Sequence, residues 1–246
     1  MERIGIISAM KEEVDALLQE LKNVSTIEKG NRTYYSGDLF NKKVVIVFSR
    51  WGKVASAATT TQLINDYNLK EIFFTGVAGA INNQLNIGDI VIGKNLYQHD
   101  MDASPLFKQF EIPIIKKMYL ETFDTQHLIK AINSFLSSYS TFINPIEAEK
   151  FNITNPKYIE GDIASGDQFV SSISKIESLN KELPSALCVE MEGAAVAQVC
   201  YEYNIPFSII RIISDKANDN ATIDFPKFAN TIASQYALGI LKNYFA

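Results

Sequence analysis

Basic charge is in short supply in this chain: 23 Lys and Arg stand against 28 Asp and Glu, for a formal net charge of −5. That balance offers no positive field to a phosphate backbone and argues against a nucleic-acid partner. Long apolar runs are missing too. No segment approaches the roughly 20 apolar residues of a membrane span, and the strand-like start, Arg3 to Ala9, has no charged leader followed by a long apolar stretch. A cytoplasmic protein without a membrane partner is expected. Cysteine is limited to Cys188 and Cys200, in an expected strand and on an expected helix, which suits buried free thiols rather than a disulfide. The two histidines, His99 and His127, lie far apart without ligand-spaced partners, so no metal is expected, and His99 reads as a polar loop residue. No repeat, low-complexity tract or linker interrupts the 246 residues, and 47% hydrophobic content is enough for the core of one large domain spanning 1–246.

What the sequence does have is alternation between short β-branched runs and helical periodicity. Ile4 to Ala9 reads as a buried strand, Lys11 to Leu21 as an amphipathic helix, and Tyr34 to Asp38 with Val44 to Ser49 as a hairpin turning at Asn41 and Lys42. Gly52 to Tyr67 reads as a helix leading into a strand, Glu71 to Thr75, and a Gly-Val-Ala-Gly turn at 76–79, which suggests a parallel crossover. Gly88 to Gly93 is a further strand. Residues 100–120, with Pro105, Pro113 and many aromatics, read as a long covering loop. Helices are expected over Phe123 to Ser138, Ser172 to Asn180, Glu192 to Tyr203 and Phe225 to Tyr244, with strands over Ile159 to Ser165, Ala186 to Glu190 and Phe207 to Ile213. The fold class is α/β: one domain with a mixed, twisted central sheet flanked by helices on both faces. Ligands in such folds gather at the carboxyl ends of strands.

Those ends carry acids. Val189-Glu190-Met191-Glu192-Gly193 enters a helix, and the apolar strand from Phe207 ends in Ser214-Asp215. A carboxylate at the end of a buried strand must be desolvated, hydrogen-bonded or used, and binding a polyol or doing acid chemistry would use it. Strand one is followed by Lys11-Glu12-Glu13, acids on a first helical turn, where Glu12 reads as helix-capping charge. Asp215 also suits a cap after the strand. Met191 suits a core methionine, and Arg211, inside an apolar strand, suits a structural partner for a buried acid.

Seven ordered segments then stand out: Ile4 to Ile7 with Ala9-Met10 and Glu12-Glu13-Val14; Gly52-Lys53-Val54; Thr75 to Gly79; Gly88 to Val91; Ser165-Gly166-Asp167-Gln168-Phe169; Val189 to Ala194; and Arg211 with Ser214-Asp215. In this order they resemble the 5′-methylthioadenosine/S-adenosylhomocysteine nucleosidases of the nucleoside phosphorylase superfamily, from Arg3 to the last helix and least over 107–158. The resemblance implies that fold and hydrolysis of the N-glycosidic bond of 5′-substituted adenosines, in nucleoside catabolism and methionine salvage, with no cofactor. It also implies a homodimer. Such hydrolysis needs an acid for the departing purine, stabilisation of an oxocarbenium-like sugar and a base for water. By resemblance Asp215 is the acid, oriented by Ser214; Glu13 is the base; and Arg211 helps to hold the base and its water. Glu192 accepts the ribose hydroxyls, Met191 packs on the sugar and Glu190 supports them. Phe169 stacks on the purine, with backbone near Val170 and the turn of Val77, Ala78 and Gly79 close by. Met10, Trp51, Ala103, Leu106 and Phe225 fall at or near positions lining the apolar 5′ pocket, some of them given by the partner subunit, and 100–110 is the expected lid and dimer element.

Two departures from the family pattern matter. Val77 stands where relatives often place a serine that helps to hold water, and Arg50 with Trp51 stands where many have small or aliphatic residues. An arginine near the anomeric carbon is what a phosphorylase would use to hold phosphate, so a purine or methylthioadenosine phosphorylase of the same fold is the second reading. A nonenzymatic nucleoside-binding relative is the third. Such a binder would need neither Glu13 nor Asp215.

Overall fold

The apolar runs become strands buried on both faces, and these decide the architecture. The computed structural model describes residues 2–123, 125–218 and 221–246. Its strands are β1 (Arg3–Ser8), β2 (Lys22–Lys29), β3 (Arg32–Leu39), β4 (Lys42–Phe48), β5 (Leu69–Ala80), β6 (Ile90–Gln98), β7 (Leu120–Glu121), β8 (Tyr158–Ser165), β9 (Ala186–Glu190) and β10 (Phe207–Asp215). Every residue of β10 is buried, which explains why it reads as a continuous apolar run rather than an alternation. The helices are α1 (Asp15–Glu20), α2 (Lys53–Asp66), α3 (Gln126–Ser137), α4 (Pro145–Lys150), α5 (Ile173–Glu182), α6 (Gly193–Glu202), α7 (Ala221–Phe228) and α8 (Ser234–Tyr244).

The sheet is mixed, as expected, but it also closes on part of itself. β5 pairs with β1 and β10 in parallel, β10 runs antiparallel to β6, and β6–β8–β9 continue in parallel. β9 then returns to the end of β5 through Gly79–Val189 and Ala80–Cys188. From this closed part the sheet extends through β1, β4, β3 and β2. Strand alternation sorts the core into two faces. Ile4, Ile6, Ile210 and Ile212 pack with Leu128, Ile132, Phe135 and Ile240 of α3 and α8. Ile7, Ile209 and Ile213 pack on the other side with Leu63 of α2 and Val196, Ala197 and Cys200 of α6. Cys188 and Cys200 are buried free thiols, and burial raises both far above the ordinary thiol range.

Several expectations are corrected. The segment 11–21 is a 3-10 turn, Lys11–Glu13, followed by α1, with a break at Val14 (φ −137°, ψ 14°). The break turns Glu13 into the interior, where it is 3% exposed, instead of leaving it on a solvated first turn. The residues 76–79 form no turn: they finish β5, paired to Arg211–Asp215. The small side chains there serve close strand contact, since a Cβ on Gly76 would lie 2.8 Å from the Glu13 carboxylate and one on Gly79 would lie 2.9 Å from that of Asp215. Strand β10 likewise runs on through Ser214 and Asp215 rather than ending at Ile213. The hairpin turns at Phe40 and Asn41, both at positive φ, while Lys42 pairs with Leu39. Strand β2 has no sequence signature because all eight of its residues are exposed, and α4 breaks the 107–158 stretch. Asp124, inside the range expected for a helix from Phe123, lies outside the described residues. The closing helix begins earlier than Phe225 and carries a π-helical stretch, Ala229–Ala233, between α7 and α8. His99, expected as a polar loop residue, sits in a turn as expected and is 5% exposed. No helix among the described residues is long and apolar enough to cross a membrane.

The α3–α8 contact is tight at one point. A Cβ on Gly239 would lie 2.4 Å from the Phe135 ring, a ring that also stacks with Tyr236 at 5.1 Å. Gly239→Ala should therefore destabilise the fold by about 1–3 kcal/mol through overpacking, despite alanine's better helix propensity, as measured by urea unfolding.

Candidate active site

The carboxyl ends of β1, β5, β9 and β10 converge on one cleft, the place where ligands gather in α/β folds. It is lined by Ala9, Met10 and Glu13 after β1, Trp51 after β4, Val77, Ala78 and Gly79 of β5, Gln168, Phe169 and Val170 after β8, Val189 to Glu192, Ser214 and Asp215, and Phe225 of α7. The structure therefore brings together all the residues anticipated for the site except Arg211, Ala103 and Leu106. Arg211 is buried behind the cleft, and the two loop residues lie away from it, Leu106 being 84% exposed. Ala9, Gln168 and Val189 were not anticipated. Each directly precedes a residue that was, so the signal lay in the same segments.

Glu13 is held by three donors. One carboxylate oxygen, Oε2, accepts from Ser8 Oγ at 2.5 Å and the Met10 amide at 3.0 Å, and Oε1 accepts from the Val77 amide at 2.9 Å. Burial raises its pKa, against the lowering effect of these bonds and of the Arg211 charge. Position 77 thus reaches Glu13 through its backbone, a contact that valine and serine make alike. Asp215 is equally enclosed. Its Oδ2 accepts from Ser214 Oγ at 2.8 Å and its Oδ1 from the Ala217 amide at 2.7 Å. Burial again raises its pKa, with Ser214 and Ala217 opposing and Asp224 adding to the rise. A buried carboxyl with a raised pKa keeps its proton to higher pH and so can act as an acid.

The other two carboxylates divide differently. Arg211, 1% exposed, donates Nη2 to Glu190 Oε2 at 2.5 Å and Nε at 3.2 Å, and its guanidinium lies 4.1 Å from the centre of the Phe74 ring. Its hydrogen bonds go to Glu190 and the Ile210 carbonyl, so on Glu13 it acts through charge alone. Glu190 also accepts from Ser165 and from the amides of Glu192 and Gly193. Burial would raise its pKa, but Arg211 and these donors outweigh it and hold the group below the ordinary carboxylate range. Glu192 has a single such donor, the Gly52 amide at 2.8 Å on Oε1. Burial first, and then the negative charge of Glu190, push it up to about 8.

Among the described residues no Lys or Arg lines the cleft. Arg50 is exposed, at φ 70°, and donates to the Asn31 carbonyl instead of facing the site. One wall is aromatic: Phe225 meets Phe169 edge-on at 5.8 Å and Trp51 at 6.1 Å. A flat apolar group fits against such a wall. Among the described residues no group of three or more His, Cys, Asp or Glu is arranged to hold a metal.

A cleft with this composition, at the strand ends of a partly closed mixed sheet, is that of a phosphorylase-type nucleoside fold, and residues 3–246 match the sequence model of the phosphorylase superfamily. A 5′-methylthioadenosine/S-adenosylhomocysteine nucleosidase of Staphylococcus haemolyticus is 36% identical over 231 residues, covering 94% of this chain and 93% of that one. Among solved structures, the nucleosidase of the same name from Colwellia psychrerythraea, in complex with adenine, superposes with a TM-score of 0.85 at 30% identity, over 98% of this chain and 95% of the other. The futalosine hydrolase of Helicobacter pylori superposes with a TM-score of 0.82 at 32% identity, over 99% and 97%. The chain belongs to the phosphorylase superfamily and, within it, to the 5′-methylthioadenosine/S-adenosylhomocysteine nucleosidase family.

Two outcomes follow from the charge arrangement. Arg211→Met strands Glu190 as a buried, uncompensated charge and should cost about 3–5 kcal/mol in chemical denaturation, whereas the double variant Arg211→Met/Glu190→Gln should recover much of the loss. Glu192 binds its proton more tightly folded than unfolded. Its contribution to stability is therefore complete below the ordinary carboxylate range and lost as pH rises toward about 8. Melting temperature followed over that window should fall less steeply in Glu192→Gln than in the wild type.

Proposed function

We propose that this chain hydrolyses the N-glycosidic bond of 5′-methylthioadenosine, S-adenosylhomocysteine and related 5′-substituted adenosines, releasing adenine and the 5′-substituted ribose. The observation that carries this reading is the pairing of two buried carboxyl groups, Glu13 and Asp215, in one cleft that no cationic side chain among the described residues lines. Asp215 protonates ring nitrogen 7 of the purine, so that adenine leaves neutral. Glu13 takes a proton from the water whose oxygen bonds to the anomeric carbon as the carbon–nitrogen bond breaks. Glu13 suits the base role because Ser8, Met10 and Val77 all donate to it, which opposes the burial that raises its pKa. Its negative charge also favours the oxocarbenium-like sugar.

Glu192 accepts hydrogen bonds from the ribose hydroxyls and Met191 packs on the sugar, while Phe169 stacks on the purine. Met10, Trp51 and Phe225 receive the 5′ group. Ala103 and Leu106, which do not line the cleft of their own chain, complete the 5′ pocket of a second subunit in a homodimer. Phe107, in the same loop as Leu106, is also exposed. The enzyme works as one domain in the cytoplasm, in nucleoside catabolism and methionine salvage, without a cofactor. Among its relatives a futalosine hydrolase superposes nearly as well as the Colwellia nucleosidase does, so the 5′ substituent is the open variable.

Incubation with methylthioadenosine should release adenine and methylthioribose at the same rate with and without phosphate. A sugar phosphate would identify a phosphorylase, and no adenine would identify a binder. Asp215→Asn and Glu13→Gln should each lower kcat by about 10²–10⁴. The rate should lose its base as pH falls through the pKa of Glu13 and its acid as pH rises through that of Asp215. Analytical ultracentrifugation showing only monomer would exclude the shared 5′ pocket.

A further inference from the structure

The two walls of the cleft are tied together by a charged ring outside it. Asp100, just after β6, uses both carboxylate oxygens: Oδ1 accepts Lys53 Nζ at 2.6 Å, and Oδ2 accepts the Asp167 amide at 2.9 Å. Asp167 closes the ring by accepting the Lys53 amide on its Oδ1 at 2.7 Å. Each residue thus holds the other two. Lys53 opens α2 directly after Trp51, which lines the cleft, and Gly52, whose amide holds Glu192. Asp167 directly precedes Gln168 and Phe169, which line the opposite wall.

The ring leaves little slack. Gly52 sits at φ 93°, and a Cβ there would lie 2.9 Å from Asp167 Oδ1. Lys53 Nζ also donates to Gln98 Oε1 at 3.1 Å, which anchors it to the end of β6. The buried His99 ring packs so closely beside Gly166 that a Cβ on the glycine would lie 2.3 Å from Nε2. Burial acts to raise the Asp100 pKa, but Lys53 and the Asp167 amide outweigh it and keep the group below the ordinary range, hence ionised at neutral pH. None of the three ring residues lines the cleft.

We propose that Asp100 is a positioning residue for nucleoside binding: it fixes the loop carrying Gln168 and Phe169 against the α2 turn that holds Glu192, and so sets the width of the slot that receives the purine and ribose. This rests on the reading of the cleft as a nucleosidase site. The acid and the base are held separately, by Ser214 and Ala217 and by Ser8, Met10 and Val77, so Asp100 should act on binding and not on the chemical step.

The test is steady-state hydrolysis of methylthioadenosine, together with inhibition by adenine, in the wild type, Asp100→Ala, Asp100→Asn and the double variant Asp100→Ala/Lys53→Met. Losing the charge-assisted bonds should raise KM and the adenine inhibition constant in parallel, by about tenfold or more in Asp100→Ala, with kcat within about threefold. Asp100→Asn keeps one acceptor and should fall between Asp100→Ala and the wild type, and it carries the test if the alanine variant does not fold. The double variant should remain as weak as Asp100→Ala. A KM within twofold of wild type in the single variants, an equal loss confined to kcat, or restoration of KM by removing the stranded Lys53 charge would each overturn the proposal. If wild-type protein releases no adenine, the nucleosidase reading itself has failed.

Discussion

The structure depends on one electrostatic constraint: four carboxyl groups, Glu13, Glu190, Glu192 and Asp215, are buried at one cleft, and one buried guanidinium, Arg211, lies behind it. One cation cannot compensate four anions in a low-dielectric interior, so the groups must differ in protonation or in donors. Arg211 is spent on Glu190, which also collects the amides at the start of α6 and is thereby fixed as an anion. Glu192, beside that fixed charge, is pushed the other way. Glu13 and Asp215 lie at separate strand ends with separate donors, and burial raises the pKa of both. The split between Glu190 and Glu192 comes from where Arg211 is placed.

The backbone makes that placement possible. Arg211 shares a strand face with Ile209 and Ile213, and it reaches Glu190 because β10 and β9 both border the closed part of the sheet. Position 76 lacks a side chain because the Glu13 carboxylate occupies its space, and position 79 because that of Asp215 does. The glycines of β5 therefore belong to the strand and not to a turn.

This also marks how far the sequence could be read. The strands β1, β4, β9 and β10 were legible because burial on both faces writes a plain apolar run, and the site segments were legible because acids interrupt those runs. Glycine at 76 and 79 was misleading: without a partner strand in view, Gly-Val-Ala-Gly has the signature of a turn, and only the carboxylates crossing beside it explain the missing side chains. Strand β2 was invisible because an exposed edge strand has no apolar face to display. The burial of His99, the orientation of Arg50 and the break at Val14 depend on packing between distant segments, which periodicity within one segment does not report.

The closure of β9 onto β5 has a consequence for how the protein comes to exist. Glu13 directly follows β1, yet its neighbours in the cleft, Glu192 and Asp215, come only after β9 and in β10, far along the sequence. The β5–β9 and β5–β10 pairings that build the cleft join segments far apart in sequence, and such contacts form late because loop closure must precede them. A growing chain of this sequence therefore carries strands and helices long before it carries a site, and the burial of charge that defines the cleft is deferred until nearly all of the fold is available to share it.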